Sequence, residues 1–282
     1  MLELRRLVLL HHFAALGSIA AVATATGYSA SAVSQQLAVL EREAGVALLE
    51  RSARSASLTE AGRRLAAHAA TVLDAVEAAE SDLAQAAGNT SGRIIVSTIP
   101  TVAVAVAPRL IGLRGPQVVL RQHTDDAQAL DRLRAREVDI AIIDSWVATP
   151  APPDLVRTQL MVDPVVIAGP VDHSTWLVAP DDQPSRRIAE EVMAELGVEP
   201  DSRWEFMGLA TIAELVAAGV GAAVLPRLAL RHVDVPTTPT DRHRSINAVI
   251  RAGSRTRPAI GAVMDVLTGI TPGATSRRRP AR

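Results

Sequence analysis

The 282-residue chain contains no cysteine, so it has no disulfide framework and no thiolate metal site. It contains no lysine either, and all 29 Lys/Arg positions are arginine. His11, His12, His68, His123, His173, His232 and His243 show neither HxxxH nor HxH spacing, so the sequence carries no sign of a metal centre. A Gly-x-Ser-x-Gly elbow is missing, and Gly219-Val220-Gly221 is a GxG fragment that suits a turn into a strand better than a phosphate cradle. Asp125-Asp126 and Asp181-Asp182 are adjacent pairs whose side chains diverge. No catalytic residue, cofactor or metal is expected. The net charge of -1 argues against a chain coated throughout by nucleic acid.

A membrane segment is not expected. The stretch from Leu7 to Leu40 lacks acidic residues and arginine, yet it is too rich in Ser, Thr, Gln and Gly to span a bilayer. Glu3 precedes the first arginines and His11-His12 interrupts the apolar run, unlike a secretory signal. The expected location is the cytoplasm, and the length is that of about two domains.

What is present is concentrated in residues 17–43, GSIAAVATATGYSASAVSQQLAVLERE. Ser18 can cap a helix running to about Ala25, Gly27 supplies a positive φ to close it, and Ser29 can cap a second helix ending at Gly45. Val33, Leu37 and Leu40 share one face of that second helix, while Ser31, Ser34 and Gln35 project elsewhere. This is helix-turn-helix geometry, and a neutral polar face at the start of the second helix suits base edges in a major groove. The same pattern also fits the solvated face of an ordinary helical hairpin. The following stretch, VALLERSARSASLTEAGRRL, sets Arg51 and Arg54 among small residues and reads as a wing touching phosphates. Residues 1–64 hold seven arginines and five glutamates, whereas residues 65–91 hold Asp74, Glu77, Glu80 and Asp82 with no arginine.

With these residues in place the chain resembles the LysR-type transcriptional regulators. The resemblance rests on Gly17-Ser18, Ala32-Val33-Ser34, Leu40-Glu41, Gly45, Leu48, Arg51 and Leu58-Thr59-Glu60-Ala61-Gly62, in order and at the family's spacing. It implies a winged helix-turn-helix DNA-binding domain over residues 1–62. Double-stranded promoter DNA would be contacted by Ser29, Ser31, Ala32, Ser34, Gln35, Arg51 and Arg54. Departures bear on the operator rather than the fold: Ala30 stands where a base-reading glutamine is frequent, and Gln35 replaces an arginine. Leu49 replaces the usual wing phenylalanine, and Thr26 a leucine. Gln35 suits a bidentate bond to adenine, worth about 1–3 kcal/mol of discrimination.

Residues 58–88 read as one long helix. Leu65, Ala69, Val72, Val76, Ala79 and Leu83 recur by four and three and form a narrow heptad stripe. Such a stripe wants a partner helix or the chain's own domain. The resemblance implies the family's dimerisation helix, in a homodimer or a tetramer built from dimers. A dimer presents two recognition helices to half-sites about 34–36 Å apart or a multiple of that.

From Arg93 onward the period changes. Ile94–Val96, Val118–Leu120, Ile140–Ile143, Val165–Ile167, Ala222–Leu225 and Ile246–Ile250 are short apolar runs, with helical patterns between several of them, notably Ala127–Arg136 and Ile188–Leu196. Buried strands alternating with helices predict an open α/β sheet. The resemblance continues more weakly through RAREVDIAII, LVAAGVGAAVLP and a last helix near Ala259–Leu267. It implies an effector-binding domain over 92–270, with two subdomains like those of a periplasmic binding protein. The first is placed at 92–157 plus 231–270 and the second at 158–230, which is compressed at His173–Trp176.

Ligands of open α/β sheets bind at the carboxyl ends of strands. Ser97 and Thr98 lie at such an end, just before Pro100 in a helix's first turn, where hydroxyls, free amides and the helix dipole suit an anion such as a carboxylate. A self-satisfied cap is the alternative. With the family in view, Ser97, Thr98 and Thr101 lead as effector contacts. Weaker candidates are His123-Thr124, Asp144-Ser145 and Met207-Gly208, with Asp144 suited to a ligand amine or equally to capping a turn. Residues 271–282 form an arginine-rich tail expected to be disordered. The expected function is ligand-responsive transcriptional regulation through a small-molecule effector. The rival is a solute-binding module whose first 90 residues are only signal and stalk.

Overall fold

The computed structural model describes residues 1–51, 56–86, 92–147 and 152–269. Arg54, the arginine tail and Gly88–Ser91 lie outside these residues. Helices α1 (Leu4–Leu16), α2 (Ile19–Thr26) and α3 (Ala30–Ala44) come first. Ser18 Oγ accepts from the Ala21 amide and Ser29 Oγ from the Ala32 amide, each at 3.1 Å; such caps contribute about 1 kcal/mol each. Gly27 closes α2 at φ 73°. Val33, Leu37 and Leu40 are buried against Leu10, Phe13 and Val22, so α1 at the opening of the chain packs with α2 and α3 in one core.

Strands β1 (Leu49–Arg51) and β2 (Ala56–Leu58) pair antiparallel, with Leu49 opposite Leu58. Glu41 Oε1 accepts from the amides of Leu48 and Leu49, both at 2.9 Å, and so ties this wing to α3. Thr59 caps the next helix by accepting from the Gly62 amide at 2.9 Å, and its hydroxyl donates to the Ala47 carbonyl. A β-carbon on Gly62 would stand 2.1 Å from the Leu48 carbonyl oxygen, so only glycine lets helix and wing meet. These contacts account physically for the Leu40-Glu41 and Leu58–Gly62 signatures.

Helix α4 (Glu60–Ala86) follows. Its stripe divides. Ala69 is 0 % exposed and Leu65 partly buried in the core formed with α1. Ala69 is therefore corrected from a dimer contact to an internal one, because α1 consumes the first turns of the stripe. Val72 is 43 % and Leu83 71 % exposed, Ala79 is exposed and Val76 half-buried.

The remaining chain builds a six-stranded sheet in the order β4 (Gln117–Gln122), β3 (Arg93–Thr98), β5 (Ile140–Ser145), β10 (Thr237–Arg251), β6 (Leu155–Ala168) and β9 (Ala223–Pro226). Strands β3 (Arg93–Thr98), β4 (Gln117–Gln122) and β5 (Ile140–Ser145) are parallel, connected through α5 (Pro100–Leu110) and α6 (Asp126–Arg134). The long strands β6 (Leu155–Ala168) and β10 (Thr237–Arg251) pair antiparallel along their length and run through both lobes. The second lobe adds the parallel pair β7 (Thr175–Val178) and β8 (Ser202–Glu205), with α7 (Pro184–Glu195), α8 (Leu209–Ala217) and β9 (Ala223–Pro226). Helix α9 (Pro258–Thr268) buries Ile260, Val263 and Leu267 in the first lobe.

Both crossover strands extend well beyond the apolar runs that announced them, because charged residues at their middle are also buried. The expected subdomain cut at 157/158 falls inside β6. The compressed segment ending at Trp176 is a packed turn. The Trp176 ring is fully buried, and its Nε1 donates to the His173 carbonyl at 3.1 Å.

Candidate DNA-binding and effector sites

At the start of α3, Ser29, Ser31 and Gln35 are exposed, and Ala32 and Ser34 are half-buried. Gln36, beside Gln35, is held by Arg6, whose Nε donates to it at 3.0 Å. The polar face therefore stands on a helix whose opposite side is locked into the core. Tyr28, in the turn just before it, is 54 % exposed. This aromatic ring stands next to the polar face, outside the pattern of hydrogen-bonding side chains that marks the helix in sequence. Arg51 ends β1 opposite Ala56 in the wing.

Two of the effector candidates, Thr101 and Asp144, are brought together by a residue that belongs to no motif. Arg244, in the middle of β10, is 1 % exposed. Its Nε donates to Asp163 Oδ2 at 2.9 Å, Nη1 to Asp144 Oδ2 at 2.8 Å and Nη2 to Thr101 Oγ1 at 2.9 Å. Its guanidinium lies over the Trp146 ring at 5.6 Å, and Trp146 Nε1 donates to Asp144 at 3.1 Å. Burial raises the pKa of Asp144 and Asp163 above the usual carboxylate range, while the Arg244 charge and its hydrogen bonds pull both back down.

Asp144, suited in sequence to a ligand amine or to capping a turn, is engaged by the chain's own guanidinium. The physical reason is topological: β10 lies between β5 and β6 and so carries Arg244 to both aspartates. Ser97 Oγ and His123 Nδ1 are 2.8 Å apart, and His123 Nε2 and Asp126 Oδ1 are 3.0 Å apart. Thr98 is fully buried and its hydroxyl donates to the Ile99 carbonyl. Thr124 is exposed, and Met207 and Gly208 are exposed at the start of α8 in the second lobe.

A second charged cluster joins the DNA-binding unit to the effector domain. On α4, Glu77 pairs with Arg136, Arg251 and Arg257, and Asp74 pairs with Arg136. Arg136 holds φ 60°, uncommon for a residue with a side chain, where the chain leaves α6. Arg251 Nη1 also donates to the carbonyls of Leu133 and Val138 at 2.8 and 2.7 Å. Burial lowers the Arg251 pKa, with Glu77 acting in the opposite direction. On α1, His11 Nε2 donates to the Arg134 carbonyl at 2.7 Å. Asp74, Glu77 and Arg251 belong to no motif, and only the α4 acidic run and the RAREVDIAII stretch that holds Arg136 pointed toward this cluster.

His12 adds a pH dependence. Burial, with His11 and Arg136 contributing, lowers its pKa from 6.5 to about 4, and its Nδ1 is buried without a partner. The folded state thus binds fewer protons than the unfolded chain between these values. The resulting stability is fully present above pH 6.5 and is lost as pH falls toward 4. Between pH 7.5 and 5 the loss from His12 should be about 1–2 kcal/mol, discounted for a partly exposed ring. Urea unfolding of His12→Leu at both pH values should show a pH difference smaller by that amount. An undiminished difference would place the titration elsewhere.

Two family models match the chain: the bacterial regulatory helix-turn-helix protein of the lysR family over residues 4–63, and the LysR substrate binding domain over residues 87–270. A probable hydrogen peroxide-inducible genes activator of Streptomyces viridosporus is 32 % identical over 242 residues, covering 78 % of this chain and 75 % of that protein. The transcriptional regulator CbbR of Rhodospirillum rubrum is 28 % identical over 268 residues, covering 86 % and 87 %. Full-length OxyR of Pseudomonas aeruginosa, solved as a single-residue variant, shares the fold with a TM-score of 0.65 at 24 % identity, covering 96 % of each chain. A winged helix-turn-helix unit on a long linker helix, followed by a two-lobed α/β domain, thus recurs here with the matching sequence models, and the chain belongs to the LysR family of DNA-binding transcriptional regulators.

Proposed function

We propose that this regulator is switched by a small carboxylate-bearing metabolite that enters between the two lobes at Arg244. The observation carrying the reading is the course of β10. Its middle holds Arg244 among Thr101, Asp144 and Asp163, and its end holds Arg251 on Glu77 of the linker helix. The two arginines are seven residues apart, roughly 23 Å along a strand. A carboxylate competing for Arg244 also meets Thr101 and the first turn of α5, whose dipole favours anions. Any displacement of β10 would reach α4 directly. The ligand moves the balance only by its differential affinity for the two arrangements.

Several of the similar proteins are described as hydrogen peroxide-inducible genes activators. Without cysteine, this chain has no thiol to oxidise, so a thiol-based peroxide response does not transfer to it. The rival reading as a solute-binding module is set aside by the helix-turn-helix match over residues 4–63. Among the described residues no helix is long and apolar enough to cross a membrane. The family role is that of a transcriptional regulator and not of an enzyme.

In the proposed complex, α3 enters the major groove with Ser29, Ser31, Ala32, Ser34 and Gln35 at base edges or nearby phosphates, and Arg51 and Arg54 contact the backbone. Exposed Val72, Ala79 and Leu83 on α4 meet a second copy, giving a dimer or a tetramer built from dimers, working in the cytoplasm. Mobility shifts with the gene's own upstream region test this. Gln35→Ala should weaken specific binding by about 1–3 kcal/mol and relax preference at one base pair. Arg51→Ala should weaken binding to every sequence and reduce the salt slope by about one. A changed base preference with an unaltered slope in Arg51→Ala would overturn the wing assignment.

A further inference from the structure

The turn between α2 and α3 carries a side chain that the fold itself does not use. Tyr28 is the chain's one tyrosine, and it stands immediately before the cap residue Ser29 with its ring exposed. A large apolar residue at this place commonly packs on the fourth residue of the helix, here Val33. Val33 is fully buried within the core, yet Tyr28 is not among the side chains of that core. Among the described residues the Tyr28 hydroxyl has no hydrogen-bond partner.

The polar groups beside it are more committed. Ser29 Oγ accepts from the Ala32 amide and lies 3.0 Å from Ser31 Oγ, so the two hydroxyls share a hydrogen bond. No charged residue occurs from Ile19 to Leu40, so no cationic side chain of this stretch can meet a phosphate. In a helix-turn-helix complex the second helix lies in the major groove and the first crosses the sugar-phosphate backbone. The turn joining them therefore passes the wall of the groove. The phenol is longer than the side chains of Ser29, Ala30 and Ser31 that follow it, so it reaches that wall before they do. Base edges lie deeper, on the side of Ser31 and Gln35.

We infer, on the placement of α3 in the groove proposed above, that Tyr28 is a further DNA-contact residue whose hydroxyl donates to a backbone phosphate oxygen. Tyrosine hydroxyls are among the ordinary donors to phosphate. Such a contact differs from that of Arg51 in one measurable way. A neutral donor offsets no phosphate charge and releases no counterion, so it adds affinity without adding to the salt dependence. It also reads no base, so its gain is the same on every sequence that seats α3.

Binding of the full-length parent, Tyr28→Phe and Tyr28→Ala to the gene's own upstream duplex, followed by fluorescence anisotropy between about 50 and 200 mM salt, tests the contact. Tyr28→Phe removes a single oxygen. It should weaken binding about five- to tenfold at every salt concentration, with the slope and the base preference unchanged. Tyr28→Ala should lose at least as much. The urea midpoint of Tyr28→Phe should match the parent's, because the hydroxyl bonds to nothing within the described chain.

Tyr28→Phe binding as tightly as the parent overturns the contact, even where Tyr28→Ala is weak. So does a flattened salt slope or an altered base preference in Tyr28→Phe. Gln35→Ala reports on the groove placement separately. If Gln35→Ala is weakened and Tyr28→Phe is not, the Tyr28 contact alone falls. If Gln35→Ala binds as the parent does, or the parent binds no duplex, the placement of α3 falls and the Tyr28 contact with it.

Discussion

Arg244→Met is expected to destabilise the effector domain by about 3–5 kcal/mol, because it strands two buried carboxylates without their counter-charge. Asp163 is 2 % exposed at its side chain and Asp144 16 %, so solvent cannot replace the lost guanidinium. Denaturant unfolding followed by tryptophan fluorescence would measure the loss, since Trp146 lies against the guanidinium. The sign of the pH dependence is a second check. Burial already raises both aspartate pKa values, and removing Arg244 raises them further. The folded variant then binds more protons than the unfolded chain, so its stability recovers as pH falls from 7 toward 4. Adding Asp144→Asn and Asp163→Asn should restore part of the loss. A variant as stable as the parent at pH 7 would mean that the cluster is solvated, and the cleft assignment would fall with it.

The second large effect concerns α4. Val72→Asp combined with Leu83→Asp places charge on two side chains that the chain itself leaves exposed, so the monomer fold should be unaffected. Sedimentation should show dissociation to monomers. Affinity for a two-half-site operator should fall about 10²–10⁴-fold, because the second recognition helix is no longer tethered. A variant that still sediments as the parent would sink the α4 pairing and return the stripe to its use within the chain. Ala69→Asp would not be informative, since Ala69 is buried against α1.

The helix-turn-helix was legible because its determinants are close in sequence. Ser18 and Ser29 cap helices three residues on, Gly27 turns the chain between them, and Val33, Leu37 and Leu40 repeat with the helical period. The apolar runs of the α/β domain located its strands for the same reason. The extent of β6 and β10 was not legible, since charged residues interrupt their apolar pattern. Ser97, Thr101 and Asp144 stand out in the sequence by their places at strand and helix ends, and the fold gathers Thr101 and Asp144. The organiser of that group, Arg244, sits mid-strand in a run reading DRHRS that resembles surface composition.

Sequence alone determined the capped helices, the wing signature, the long linker helix, the strand positions and the absence of thiol chemistry. These follow from backbone propensity, periodicity and composition, which act over a few residues or over none. Only the tertiary structure decided that Arg244 meets an aspartate 81 residues away and that Arg251 meets Glu77 across 174 residues. It also decided that α1 takes Ala69 from the stripe on α4. Burying a charge is tolerable only when a partner arrives from elsewhere in the chain, and which partner arrives depends on strand order, not on any local pattern.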